Sequence, residues 1–243
     1  VARVKLLLQF AHLTRKLDPF LVQLKREAPM RKYMNLVVLL IAVFLASCAD
    51  PAANKTKATV ANSAPESNSA NPAGTETLVI SPENSKVEFV AAKVTRSHQG
   101  SFKQFSGKTE LVPNSIPDSR VTIDIDTASV VTDEPDLTNH LKTPDFFGVA
   151  KYPKAIFVST KIEPSSAGGA DAYTVTGNFE LHGVKKSITF PATIRVTADN
   201  VAVDAEFAIN RKDFGIVFPG KPDDLIREGV VIKLTLKVPR TKP

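Results

Sequence analysis

The 243-residue sequence has one cysteine and no tryptophan. A single thiol excludes a fold stapled by disulfides. Histidine is scarce as well, and only His98, His140 and His182 follow the cysteine. No two of them sit four apart on a helix or inside a Cys/His cluster, so neither a metal nor another cofactor is expected. None is offset from a serine and a carboxylate in a way that marks nucleophilic catalysis, and no catalytic residue is assigned. No apolar run reaches the roughly 20 residues of a membrane-spanning helix; residues 36–46 give eleven in a row. Cationic excess is also missing from most of the chain. The net charge is +6, and residues 1–47 hold eight of the 31 Lys/Arg against two of the 25 Asp/Glu, leaving 23 of each sign beyond them. A nucleic-acid partner is therefore not expected. No internal repeat is visible.

The eleven apolar residues have the length of a signal-peptide core, with Arg31 and Lys32 as its basic flank and Met30 just before them. The run ends in Leu45-Ala46-Ser47-Cys48. Small residues followed by cysteine resemble the lipobox of a bacterial lipoprotein. That resemblance implies that Cys48 is acylated, becomes the mature N-terminus and anchors the chain in a membrane, with a secreted protein or an inner-membrane helix as the alternatives. Two or three acyl chains anchor stably where one is marginal. The resemblance also bears on location, because Asp directly after the cysteine would retain the chain at the inner membrane. Ala49 stands there, which favours the outer membrane, facing the periplasm. Residues 1–29 are expected to lie upstream of the true start at Met30, with a genuine basic extension as the rival. Residues 30–47 then form the signal. Residues 48–75, polar apart from Val60, are expected to be the acylated cysteine and a flexible tether.

From about Glu76 to Val238 the sequence alternates with period two. Val121, Ile123 and Ile125 alternate with Thr122, Asp124 and Asp126. Ile188, Phe190, Ala192 and Ile194 continue the pattern, as do Val201 to Ile209 and Val230 to Val238. Asp199-Asn200 suits a turn joining 188–198 to 201–209 as a hairpin. Only Asp133–Leu141 has helical spacing. The expected class is all-β, one antiparallel domain with a short helix. Strands this long favour a barrel over a sandwich.

Several segments carry a wider likeness: Val87-Glu88-Phe89, Ser97 to Gly107, His140-Leu141-Lys142-Thr143-Pro144-Asp145-Phe146-Phe147, Lys151-Tyr152-Pro153, Leu181-His182-Gly183-Val184 and Asn210-Arg211-Lys212-Asp213-Phe214-Gly215. In their order and spacing they resemble the YceI-like lipid- and polyisoprenoid-binding family. The resemblance implies an extended eight-stranded barrel of lipocalin type that holds an isoprenoid chain in an apolar lumen. Gly148 departs from the aspartate usual in the family. Residues 217–227 form a longer loop than many members carry, one suited to cover a barrel mouth.

Phe102, Phe105, Phe146, Phe147 and Phe157 are candidates to line that lumen, with His140 at its entrance. Ile123, Ile125, Ile188, Ile194, Ile232 and Leu234 suit its wall. All would equally suit a dry core. Arg211 either pairs with Asp213 in a turn or meets a ligand headgroup. The functional expectation is binding of a long-chain amphiphile as carrier, reservoir or sensor, without chemistry. The alternatives are a packed structural or stress-related envelope domain, and an enzyme acting on an isoprenoid lipid.

Overall fold

The computed structural model describes residues 50–66 and 72–240. The expectations for residues 1–49, Cys48 included, lie outside the described residues.

Within 76–240 the alternating segments form β2 (Glu76–Ile80), β3 (Ser85–Ala92), β4 (Ser97–Phe102), β5 (Phe105–Leu111), β6 (Arg120–Asp126) and β7 (Val130–Thr132). The helix α1 (Pro135–Leu141) follows, then β8 (Lys154–Pro164), β9 (Ala172–Leu181), β10 (Val184–Val196) and β11 (Asn200–Asn210). A two-residue pair, β12 (Gly220–Lys221) and β13 (Asp224–Leu225), precedes β14 (Gly229–Pro239). An earlier strand, β1 (Thr59–Asn62), lies in the stretch expected to be a tether. The main sheet has twelve strands in the order β2-β5-β6-β8-β9-β10-β11-β14-β3-β4-β7, with β1 against β10.

Three pairs of neighbours in sequence are each a single strand broken by a kink. β2 and β3 part at Ser81–Asn84, where Pro82 has no N–H to give a ladder and Asn84 Oδ1 accepts from the Ser81 amide at 3.1 Å. β4 and β5 part at Lys103 and Gln104, whose amides are taken by the Ser129 carbonyl at 3.2 Å and its hydroxyl at 3.0 Å. β6 and β7 part at the 3-10 turn Thr127–Ser129. The pairing continues through the kinks: Glu88 faces Ser101 on β3 and β4, and Ile80 faces Gly107 on β2 and β5. With each kinked pair counted once, the ring is β2/β3, β4/β5, β6/β7, β8, β9, β10, β11 and β14. β14 closes it against β3, from Val231 opposite Val90 to Leu236 opposite Ser85. The eight-stranded antiparallel barrel is this ring, and α1 is the short helix expected within 133–141.

The β9–β10 turn is His182-Gly183, both at positive φ (53° and 74°), a geometry that matches the twist of the flanking strands. Gly183 is required twice over, since a Cβ there would also lie 2.4 Å from the Tyr152 ring.

The Asp199-Asn200 turn forms as expected, but the hairpin it starts is short. β10 pairs with β11 only from Val196 opposite Val201 to Thr193 opposite Asp204. Beyond that the strands separate, β10 continuing along β9 to Val184 and β11 along β14 to Asn210. β1 fills the resulting slot. It pairs antiparallel with β10, from Thr59 opposite Thr189 to Asn62 opposite Lys186. On its other side the Ala58 amide donates to the Ala208 carbonyl at 2.8 Å, and the Ala208 amide to the Thr56 carbonyl at 2.9 Å. This corrects the expectation of a flexible tether for the part that is described. The open backbone edges of β10 and β11 need partners, and the alternation Lys57-Ala58-Thr59-Val60 supplies a strand with one apolar face.

Candidate functional site

The barrel encloses a cavity of about 140 Å³. Its walls are apolar side chains, apart from contributions by Glu88 and Arg211. Strand alternation places them. Phe179 and Leu181 of β9, Phe207 and Ile209 of β11, and Val230, Ile232 and Leu234 of β14 each lie two apart and share the inner face. Gly177, next in the β9 series, has no side chain because the Phe157 ring occupies the place; a Cβ there would lie 2.4 Å from it.

Two groups of aromatic rings divide the space. Phe157 packs on Phe190 with centroids 5.7 Å apart, and Phe190 stacks on Phe207 at 4.1 Å and 14°. Nearer the helix, Phe102 lies 5.9 Å from Phe89 and 5.5 Å from Phe147. Such ring pairs contribute beyond the area they bury.

Most of the candidate residues meet here. Phe102, Ile123, Ile125, Phe146, Phe147, Phe157, Ile188, Ile232, Leu234 and Arg211 line the cavity. Phe105 and Ile194 are buried in the surrounding core without reaching it. His140 stands outside, in a groove that shares Phe89, Leu141, Phe146 and Ile226 with the cavity. Its ring sits edge-on to Phe146 at 4.9 Å and to Phe218 at 5.2 Å, and its Nε2 is 2.9 Å from Asp145 Oδ2. Phe89, Phe190, Phe207 and Ile209 were not among the candidates, although the same alternation that pointed to Ile188 and Ile232 marks them.

Arg211 is 5% exposed, and its partners correct the expected turn pair with Asp213. Its guanidinium donates to the carbonyls of Ile216 (2.6 Å), Arg227 (3.0 Å) and Ile226 (3.2 Å). Asp213 is not its partner. The side chain instead clamps both ends of the 217–227 loop. Burial lowers its pKa and the nearby Glu228 charge opposes that shift, but a guanidinium stays charged. The loop does cover one end of the lumen, with Ile216 and Ile226 on the cavity and Phe218 over His140.

The groove outside carries paired charges. His98 Nδ1 lies 3.0 Å from Asp133 Oδ1, Arg96 is 3.4 Å from Glu134, and Lys93 pairs with Asp224. Burial raises the Asp133 carboxyl, but the His98 hydrogen bond, with the His98 and Arg96 charges and the Gln99 amide, brings it below the usual range. The Lys93 hydrogen bond likewise holds Asp224 low. Among the described residues no three His, Cys, Asp or Glu side chains cluster as metal ligands would.

A closed antiparallel ring around an apolar space, its mouth covered by a loop, defines a small barrel of lipocalin type. The chain belongs to the YceI-like domain family, whose pattern matches residues 78–238. It is 35% identical over 127 residues to a UPF0312 protein of Pseudomonas putida strain W619, covering 50% of this chain and 65% of that one. A UPF0312 protein of Pseudomonas syringae pv. tomato is 32% identical over 142 residues, covering 54% and 72%. The chain thus spans about two thirds of the length of these curated relatives. Among solved structures, Burkholderia cenocepacia BcnA matches at 27% identity and TM-score 0.58, over 65% of this chain and 98% of that one. A polyisoprenoid binding domain from Saccharophagus degradans, implicated in plant cell wall breakdown, shares the fold at 18% identity and TM-score 0.54, over 69% and 99%.

Proposed function

We propose that this chain binds the apolar tail of a long-chain amphiphile, of the polyisoprenoid class, inside its barrel. It acts as a carrier, reservoir or sensor and performs no chemistry on the lipid. We place it in the cell envelope, held through acylated Cys48 at the outer membrane and facing the periplasm. The observation that carries the binding reading is the cavity itself, enclosed by branched and aromatic side chains with almost no polar wall. A prenyl tail offers only methyl groups and double bonds, so its recognition comes from buried apolar area, worth about 25 cal/mol per Å². The name of the S. degradans fold neighbour supports the choice of lipid class.

Size sets a condition. An apolar cavity of about 150 Å³ holds a benzene molecule, and the lumen has about 140 Å³. A tail of several prenyl units needs the Phe102, Phe147 and Phe89 rings to swing aside. The same small volume favours a second reading, a packed domain with a structural envelope role. Lipid extraction and mass analysis of the protein purified from its own membranes separates the two. A long-chain isoprenoid at near-stoichiometric amount is the expected result. Absence of any lipid, with no binding of added geranylgeraniol, leaves the packed-domain reading standing.

A further inference from the structure

We propose that β1 is a removable stave of the barrel, and that the slot it fills between β10 and β11 is a side entrance through which an apolar chain reaches the cavity. This rests on the lipid-binding reading above. The slot is a binding site for an extended peptide, and its occupant is the chain's own segment Asp50–Glu66.

The register shows that β1 is wall and not a decoration on it. Val60 is the partner of Ile188, so both project to the same face, and Ile188 lines the cavity. Ala58 lies against Ala208, whose neighbour Ile209 also lines it. Ala58 and Val60 pack on the main core. Neighbouring strands stand 4.7–4.9 Å apart, so removing β1 leaves a gap of about 9–10 Å between the β10 and β11 backbones. Its inner rim is already apolar.

Ala52 also packs against Ala208 and Val231; the other attachments are polar ones that water replaces. Asn178, 2% exposed, sits on the outer side of β9 and reads the backbone of Ala64 with both ends of its amide, accepting from the nitrogen at 2.9 Å and donating to the oxygen at 2.8 Å. Lys185 holds Glu66 at 2.7 Å and Lys55 holds Glu206 at 2.9 Å, all on the surface. The segment lies over Asn178, so withdrawal exposes these polar groups to water. Short, exposed, polar attachments mark the elements that open first in a folded protein. The wall strands, by contrast, are paired over up to eleven residues, as β11 and β14 are from Asn200 to Asn210. The segment also lies outside the residues matched by the family pattern, which begin at 78.

The test locks the stave. Thr59 and Thr189 are register partners on the outer face, at a separation a cross-strand disulfide can bridge. In the full-length chain carrying Cys48→Ser, Thr59→Cys and Thr189→Cys, uptake and release of a fluorescent geranylgeranyl probe are followed by stopped flow, oxidised and reduced. Oxidation is expected to slow both rates by roughly tenfold or more with equilibrium affinity unchanged, and reduction to restore them. Ala58→Pro, which removes the amide donated to Ala208, is expected to speed both. Equal rates in the oxidised and reduced states overturn the side entrance while leaving lipid binding intact. No probe binding by the reduced protein or the unaltered chain overturns the lipid reading, and the entrance with it.

Discussion

Arg211 shows how a residue can be conspicuous in sequence and still be misread there. Asp213 two positions on invites an ion pair. The structure gives the guanidinium three carbonyls from residues five to sixteen positions away, contacts that no local spacing announces. Arg211→Lys keeps the charge but cannot present three donors in one plane. It is expected to lower unfolding free energy by about 2–3 kcal/mol, read from urea denaturation, and an unchanged midpoint would contradict the clamp. The cavity residues were more legible, because alternation assigns a face. Alternation cannot say whether an inner side chain meets a neighbour or a void. Ile194 and Leu234 make that difference measurable. Ile194 is packed in the core, and Ile194→Phe is expected to cost about 1–3 kcal/mol by overpacking. Leu234 borders the cavity, so Leu234→Phe should leave the denaturation midpoint nearly unmoved and weaken prenyl-probe binding. Equal destabilisation by both would mean the space beside Leu234 is already filled.

At the scale of elements, the long strands and α1 were readable because each has a period and a turn or breaker at its ends. β1 was not. Its apolar face is one alanine and one valine in a polar stretch, and composition alone makes such a stretch look like a tether. What orders it is the unfilled slot between β10 and β11, a feature of the assembled sheet. Its attachments carry a pH dependence of definite sign. The Lys55 hydrogen bond holds Glu206 below the ordinary glutamate range, and those from Lys185 and then Asn178 do the same for Glu66. Folded pKa values below the unfolded ones mean that this stabilisation is complete above the unfolded pKa. It is lost as pH falls through the folded values. Hydrogen exchange of residues 56–62, corrected for intrinsic rates, is therefore expected to lose protection below about pH 4 while β14 stays protected. Protection of the two segments falling together at that pH would show that β1 does not open separately.

For the whole molecule, the barrel was legible from strand length and the order of family-like segments. Its three kinks were not, since Pro82 is the one breaker that marks any of them and the other two depend on Ser129 reaching across to Lys103 and Gln104. The envelope placement is tested on intact cells. Cys48→Ser is expected to abolish fatty-acid labelling and to release the domain from the membrane fraction or leave an uncleaved precursor. Labelling and fractionation identical to the unaltered chain would remove the anchor from the proposal.

The seam between β3 and β14 has a consequence in time. The two ends of the barrel's sequence, Ser85–Ala92 and Gly229–Pro239, meet there, and β14 lies between β11 and β3 with partners on both sides. Until the C-terminal strand arrives, β3 and β11 each present an unpaired edge and the future lumen is an open apolar trough. Contacts of such long sequence separation place folding in the slow, millisecond-to-second range. Under the envelope placement proposed above, the chain would cross a membrane N-terminus first and spend its whole passage as an incomplete sheet, vulnerable to edge pairing with its neighbours. The moment at which it becomes safe from aggregation is the moment at which it can first enclose a ligand.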